Sequence, residues 1–422
     1  MGALTYMEEY GKILLIAMPT FLVLVVLEKV YGYLKGHDTV PLDDAVSSLS
    51  SGMTNVLKDV LGLSIGIISY EWLFSKLAIF SIENTLIVYA IAFLAIDFYG
   101  YWSHRFAHKV NLFWNHHVIH HSSEEFNLAC ALRQPISGIF KFFTFLLIPA
   151  AIMGVPPEVI SVVLPLHLFM QFWYHTRHVG KLGFIEYILV TPSHHRVHHA
   201  INPEYMDKNL SQIFIFWDFM FGTFQEELDD VPPVFGISRP ALTWNPFKIN
   251  FQHFFVLCRD AWYANNLVDK LTIWFRPTGW RPRGFDKLYP LHKIEDVYSF
   301  SKYKPALTKF QLIWGITHLF VVMVFLLDLF SRLGSLPFLQ ILVYGAYIFL
   351  TIYSLTDLMD KNKWNFLFEI FRMSMALCIG LWLESWFGHS TFLYLVYAYQ
   401  FMAVLISVAF YRNETKKAIV LF

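Results

Sequence analysis

Residues 85–121 read TLIVYAIAFLAIDFYGYWSHRFAHKVNLFWNHHVIHH. The opening run, Thr85 to Trp102, is apolar apart from Asp97 and approaches the length of about 20 residues that a membrane span needs. It passes straight into two histidine groups, His104-x3-His108 and His117-x2-His120-His121. A third group of the same form, His195-x2-His198-His199, follows after 73 residues. A lipid-soluble helix that ends in a wall of imidazoles predicts an all-α integral membrane protein, a multi-span helical bundle with a histidine-rich site for two metals.

Of the 18 histidines, 13 fall between His104 and His199, less than a quarter of the chain. Members three or four residues apart share one face of a helix, about 5–6 Å apart at Cβ. Neutral imidazole suits iron, copper, nickel or zinc, and one metal rarely takes more than about six donors, so eight converging histidines imply two metals. The expected ligands are His104, His108, His117, His120, His121, His195, His198 and His199, with His175 at the end of an apolar run as the ninth. His116 and His194 each precede a ligand position and face away from it. His37, His253, His292, His318 and His389 have no histidine neighbour at helical spacing and read as structural. The Glu-x-x-His pairs of ferritin-like sites are not in these groups, and His-Glu-x-x-His occurs nowhere, which leaves a zincin protease unsupported. A bis-histidine haem protein wants single histidines on separate spans.

Composition agrees with lipid. Hydrophobic residues make up 56% and charged residues 15% of 422, against about 45–50% and about 25% in soluble domains. The 32 basic and 32 acidic residues cancel, so no basic field exists to attract nucleic acid, and the chain is too apolar for disorder. Three distant cysteines, Cys130, Cys258 and Cys378, exclude a thiolate zinc site or a disulfide framework.

Further span candidates are Gly11 to Tyr33, Val56 to Phe80, and four runs near the end: Phe310 to Phe330, Leu336 to Thr356, Trp364 to Phe387 and Phe392 to Tyr411. The first lacks the basic flank of a secretory signal, since Met7-Glu8-Glu9 leads into it. Ile136 to Gly154 and Pro156 to Trp173 read as a hairpin dipping into the bilayer, reversed at Gly154-Val155-Pro156-Pro157 because proline cannot continue a helix. From Gln225 the prolines multiply and charge returns. The expected organisation is N-terminal spans at 1–84, a catalytic unit at 85–224, a polar connector at 225–307 and a C-terminal membrane bundle at 308–422. Lys416-Lys417 places the C-terminus in the cytosol.

Around the metals, Asp97 lies two helical turns before His104. An intramembrane carboxylate is costly and faces a partner, so Asp97 is expected to accept the spare N–H of a ligand histidine, as are Asp207 and Asn209 beyond the third group. Arg133-Gln134 falls before Pro135, where a guanidinium either holds a polar lipid head or cofactor or simply reaches the interface. Phe142, Phe143 and Phe145 read as lipid packing.

The three histidine groups resemble the membrane fatty acid hydroxylase and sterol desaturase superfamily. The runs from His120 to Gln134, Gln171 to Thr176, Thr191 to His199 and Phe216 to Phe224 are similar to its ether-lipid-cleaving branch. That resemblance implies a cytosolic di-iron centre that uses molecular oxygen to hydroxylate the carbon next to the ether oxygen of an alkylglycerol, releasing a fatty aldehyde, with tetrahydrobiopterin as reductant. The chain departs from the pattern at Lys109, where animal members carry an acidic residue. Two alternatives stay open: a sterol, carotenoid or fatty-acyl hydroxylase or desaturase fed by ferredoxin or cytochrome b5, and, in another class, a histidine-lined metal transporter.

Overall fold

Apolar length sorts the helices into those that cross a membrane and those that do not. The computed structural model describes residues 3–82 and 85–420, which are mostly helical. In chain order the first helices are α1 (Ala3–Leu34), α2 (Leu42–Val60), α3 (Tyr70–Leu77), α4 (Thr85–Lys109), α5 (Asn111–His121), α6 (Leu128–Ala131), α7 (Ile148–Ile152) and α8 (Pro157–Phe169). After them come α9 (Pro192–His199), α10 (Phe216–Phe221), α11 (Pro246–Tyr263), α12 (Leu267–Thr272) and α13 (Phe285–Leu288). The chain closes with α14 (Lys309–Ser331), α15 (Phe338–Met359), α16 (Asn365–Leu383) and α17 (Ser390–Val420). Among the described residues the sheet content is one parallel pairing, Ile65–Gly66 with Phe140–Lys141.

Among the described residues six helices are long and apolar enough to span: α1, α4, α14, α15, α16 and α17. Their outer faces carry exposed side chains such as Ile16 and Leu381, as lipid contact requires. The protein is an integral membrane protein. The expected span at Val56 to Phe80 is not formed. α2 ends at Val60, and Gly62 turns the chain at φ 67°. The face that α2 buries is rich in Ser47, Ser48, Ser50, Ser51 and Thr54, hydroxyls that seek protein partners rather than lipid. The hairpin is made of short pieces. α8 has 13 residues and so is roughly 20 Å long, too short for a core of about 30 Å. Its reversal needs glycine, because Gly154 sits at φ 76° and a Cβ there would meet the Phe80 carbonyl oxygen.

The largest core joins the beginning and end of the chain: Leu14 and Met18 of α1, Leu49, Met53 and Leu57 of α2, and apolar faces of α14–α17. A second core packs Val88, Ala92 and Ile96 of α4 against Ile160 and Val163 of α8. Within the C-terminal spans Glu369 and Arg372 form a buried pair at 2.8 Å, joined by Gln400 and Tyr399 of α17. The Lys416 and Lys417 side chains lie outside the described residues.

Candidate metal centre

Four pieces of backbone deliver the histidines. The last turns of α4 carry His104 and His108, and α5 carries His117, His120 and His121. His175 sits in the turn after α8, where its amide donates to the Phe172 carbonyl. α9 starts with Pro192, whose missing N–H costs nothing at a first helical position, and carries His195, His198 and His199 with all eight residues buried.

These nine imidazoles form two groups. His104, His108, His117, His121 and His198 place one ring nitrogen each within 4.8 Å of one another, as do His120, His175, His195 and His199. The groups abut, with the rings of His121 and His199 stacked at 4.3 Å and those of His120 and His199 at 4.6 Å. They lie side by side at the end of α4, whereas ligands of a transport path would be spread along a span.

The hydrogen bonds show what the groups are built for. The Nδ1 atoms of His104, His120, His175 and His198 donate to the carbonyl oxygens of Leu210, Arg133, Gln171 and Lys208 at 2.8, 3.3, 3.0 and 3.0 Å. Nδ1 of His108 is 3.2 Å from the Asp207 carboxylate. A carbonyl accepts only, so each of those Nδ1 atoms carries the hydrogen and each Nε2 turns a lone pair inward. His120 and His175 therefore face each other Nε2 to Nε2 at 3.4 Å. Nε2 of His108 and of His198 is buried with no protein partner. Converging lone pairs in a buried space need a cation, and burial resists a proton: it pushes His120 and His175 down to about 3, with neighbouring His175 adding to the effect on His120. His117, His121, His195, His198 and His199 are likewise held well below the ordinary value by burial and by one another. The donor set fits a metal cofactor.

The supporting residues differ in part from expectation. Asp207 accepts from His108 and, at 2.6 Å, from Lys109. Burial raises its carboxyl, but the bonds to His108 and Lys109 outweigh that and bring it down to about 2. Asp97 does not take a clustered histidine. It accepts from Nε2 of His167 at 2.8 Å, the amides of Ile213 and Phe214, and the Trp217 indole. His167 meets the Gln171 side chain, and the Gln171 carbonyl takes His175, so Asp97 acts on the site three links away. Asn209 also touches neither group. With φ 50° it bonds the His194 and Gln225 carbonyls and the Gln225 amide, so it ties loops together.

Arg133 is not interfacial. It is fully buried and its guanidinium donates to Asp44 at 2.9 Å and to Ser47, Ser48 and Ser122. Its carbonyl orients His120. Sequence reasoning also missed Asp218, which accepts from the Leu210 and Ser211 amides and Thr223 and so fixes the Leu210 carbonyl that orients His104. A carboxylate inside the apolar run Phe216 to Phe221 was the signal available. His116 and His194 stay outside both groups. His178 bonds Thr39. Phe143 stacks on Phe106, and Phe142 lies near Phe113.

A cavity of about 410 Å³ opens beside the first group. His108, His121, His198 and Asp207 form one wall, and residues of the connector such as Ile237, Arg239, Gln252 and Trp280 form the other. Arg281 in this wall is neutralised by Asp260 at 2.6 Å. Arg239 has no hydrogen bond or salt bridge to any described residue.

Residues 89–223 match the fatty acid hydroxylase family. The chain is 35% identical over 379 residues to alkylglycerol monooxygenase of Homo sapiens, covering 88% of this chain and 83% of that one. It is 33% identical over 418 residues to alkylglycerol monooxygenase of Danio rerio, covering 97% and 91%, and 33% identical over 359 residues to that of Xenopus tropicalis, covering 85% and 79%. No solved structure matches. Histidine groups built for metal at the end of a membrane helix, with relatives matched along most of both chains, lead to one assignment: the chain belongs to the alkylglycerol monooxygenase family of the fatty acid hydroxylases and is a membrane-bound, oxygen-dependent lipid monooxygenase.

Proposed function

We propose that the two histidine groups hold two iron ions and that the protein hydroxylates the ether-adjacent carbon of alkylglycerols. The observation that carries the reading is the paired set of inward lone pairs beside a cavity that is apolar along Ile237, Val118 and Leu257 and polar at Arg239, in a chain whose relatives bear that name. Bound iron would supply the activation of molecular oxygen. The nine imidazoles that would hold it are neutral and would leave its positive charge uncompensated. Carbonyl-anchored Nδ1 atoms keep the rings of His104, His120, His175 and His198 in place without a side-chain rearrangement. Trp114 and Trp280 line the cavity and keep water from the alkyl chain.

In the overall reaction one oxygen atom enters the C–H bond and the other leaves as water, using two electrons and two protons. The resulting hemiacetal breaks its C–O bond, giving a fatty aldehyde and a glycerol. Tetrahydrobiopterin is the two-electron donor in this reading, with a soluble redox protein as the alternative. The site faces the cytosol, where either donor is found. The unit at 85–224 carries all nine ligands and the connector at 225–307 completes the cavity, which supports the division of the chain between spans, catalytic unit, connector and C-terminal bundle.

Purified protein given 1-O-alkylglycerol, oxygen and tetrahydrobiopterin is expected to release fatty aldehyde. Absence of aldehyde, with a hydroxylated or desaturated sterol, carotenoid or acyl lipid formed on adding ferredoxin or cytochrome b5, would overturn the substrate while leaving the family intact.

A further inference from the structure

The connector carries an apolar corner that protein does not cover. α11 begins beside the apolar stretch of one span. The Phe247 ring lies 5.9 Å from Phe349 and 5.6 Å from Tyr353 of α15, and Lys248 pairs with Asp357 at 2.8 Å. Past α12, the chain is fixed to the end of another span. Thr278 donates to the Lys109 carbonyl at 3.2 Å, and Asn111 donates to the Arg276 carbonyl at 3.0 Å. The first turn of α11 meets Tyr353 and Asp357 near the C-terminal end of α15, and six residues on its Phe254 amide donates to Asn115, just past the end of α4; six helical residues span only about 9 Å, so both span ends lie on one side of the bilayer. A segment tied at both ends to span ends sits where hydrocarbon gives way to headgroups, a zone about 5–7 Å deep on each side.

The side chains at this corner match that level. Trp262 is 77% exposed, Leu267 68% and Phe275 67%, and Tyr263, Val268 and Leu271 are exposed with them. Tryptophan and tyrosine concentrate at membrane interfaces because one part of the ring is apolar and another polar. Lys270 and Arg276 border the patch, and cations at this depth meet the phosphates of lipid headgroups. A contiguous apolar patch of this kind on a soluble surface would cost solubility.

We propose that the α11–α12 corner is an interfacial anchor, lying among the headgroups and upper acyl chains of the leaflet that the ends of α4 and α15 reach. The anchored strand continues directly into Thr278, Gly279, Trp280 and Arg281, which line the cavity at His108 and His198. One cavity wall is thereby held against lipid, and a molecule with an alkyl tail passes sideways from the leaflet without crossing water. The anchor follows from the contacts of the connector alone, so it stands whichever lipid is oxidised.

The test uses the full chain in vesicles of phosphatidylcholine and phosphatidylglycerol, with Cys258 and Cys378 replaced by serine. A nitroxide is attached at Leu271→Cys, at Val268→Cys as a second position, and at Asp229→Cys, a side chain 94% exposed, as the water reference. The expected result is that dissolved oxygen relaxes the labels at 271 and 268 more strongly than a water-soluble nickel chelate does, with the order reversed at 229. A nickel response at 271 and 268 equal to that at 229 would overturn the proposal. So would spin–spin broadening at those positions, which would show that a second copy of the chain covers the patch.

Discussion

His120 and His175 meet Nε2 to Nε2 at 3.4 Å, each with its Nδ1 hydrogen turned away to a backbone carbonyl. Neither ring has a hydrogen to offer the other. A shared cation would satisfy both lone pairs, and their direction is set by backbone oxygens that no side-chain substitution removes.

Metal content follows from this. Purified protein is expected to hold two iron per chain. His175→Ala and His198→Ala each remove one donor from a different group and should each lose metal and activity, with the loss read by elemental analysis beside aldehyde formation. Full metal content in either variant would contradict the ligand assignment.

Acid should destabilise the metal-free protein. His120 and His175 have depressed values in the folded state, about 3 in each case through burial. The unfolded chain takes up protons near the ordinary value of about 6.5 while the folded chain does not, so unfolding is favoured as pH falls below that value. Stripped protein should melt at a markedly lower temperature at pH 5.5 than at pH 7.5. An unchanged melting temperature would mean that the rings are hydrated, not buried.

Breaking the pair between Arg133 and Asp44, exposed 1% and 2% respectively, leaves a buried charge without its partner. Asp44→Ala should cost about 3–5 kcal/mol, seen as a lower melting temperature. Because the Arg133 carbonyl orients His120, iron retention should fall as well. Replacing both residues with apolar ones of similar volume should cost less than either single change.

Asp97→Asn keeps the shape of the side chain and discards its charge. Four donors converge on that carboxylate, and a hydrogen bond to a charged group is worth about 1.5–3 kcal/mol. Loss of stability should exceed loss of iron, since Asp97 reaches the metal ligands only through His167 and Gln171. Equal sensitivity of both readouts would place it nearer the metals than the contacts do.

Arg239→Met should raise KM for alkylglycerol about tenfold, the equivalent of one charge-assisted hydrogen bond, with a smaller change in kcat. The guanidinium lines the cavity with no hydrogen bond or salt bridge to a described residue, so its N–H groups can take the oxygens of the polar end of the substrate. Steady-state kinetics with an unaltered KM would remove it from the binding site.

Eight of the nine clustered histidines were legible because spacing along a helix is a local property: His104 and His108, or His195, His198 and His199, declare their shared face without any tertiary information, while His175 was read from its place at the end of an apolar run. Their supports were not. Asp97 and His167 are 70 residues apart, and Arg133 and Asp44 are 89 apart, so only the folded chain shows who answers whom. Spans were legible where apolar runs were long and uniform. Val56 to Phe80 failed because its apolar content is split by Lys58, Asp59 and Gly62, a break that mean hydropathy over the run averages away. The connector looked like a spacer because prolines and charges dominate its sequence, whereas its contribution to the cavity comes from side chains gathered from Gly236 to Lys293.

The shared core of α1 with α14 also sets a timetable for synthesis. Leu14 and Met18 of the first span bury against a helix that begins at Lys309. At about 5–20 residues per second the ribosome needs roughly 15–55 s to travel from the end of α1 to that helix. During that interval the first span waits in the bilayer with its inner face turned to lipid or to an insertion factor. The nine histidines leave the ribosome before the bundle that braces α2 exists, so the order of manufacture is ligands first and scaffold last.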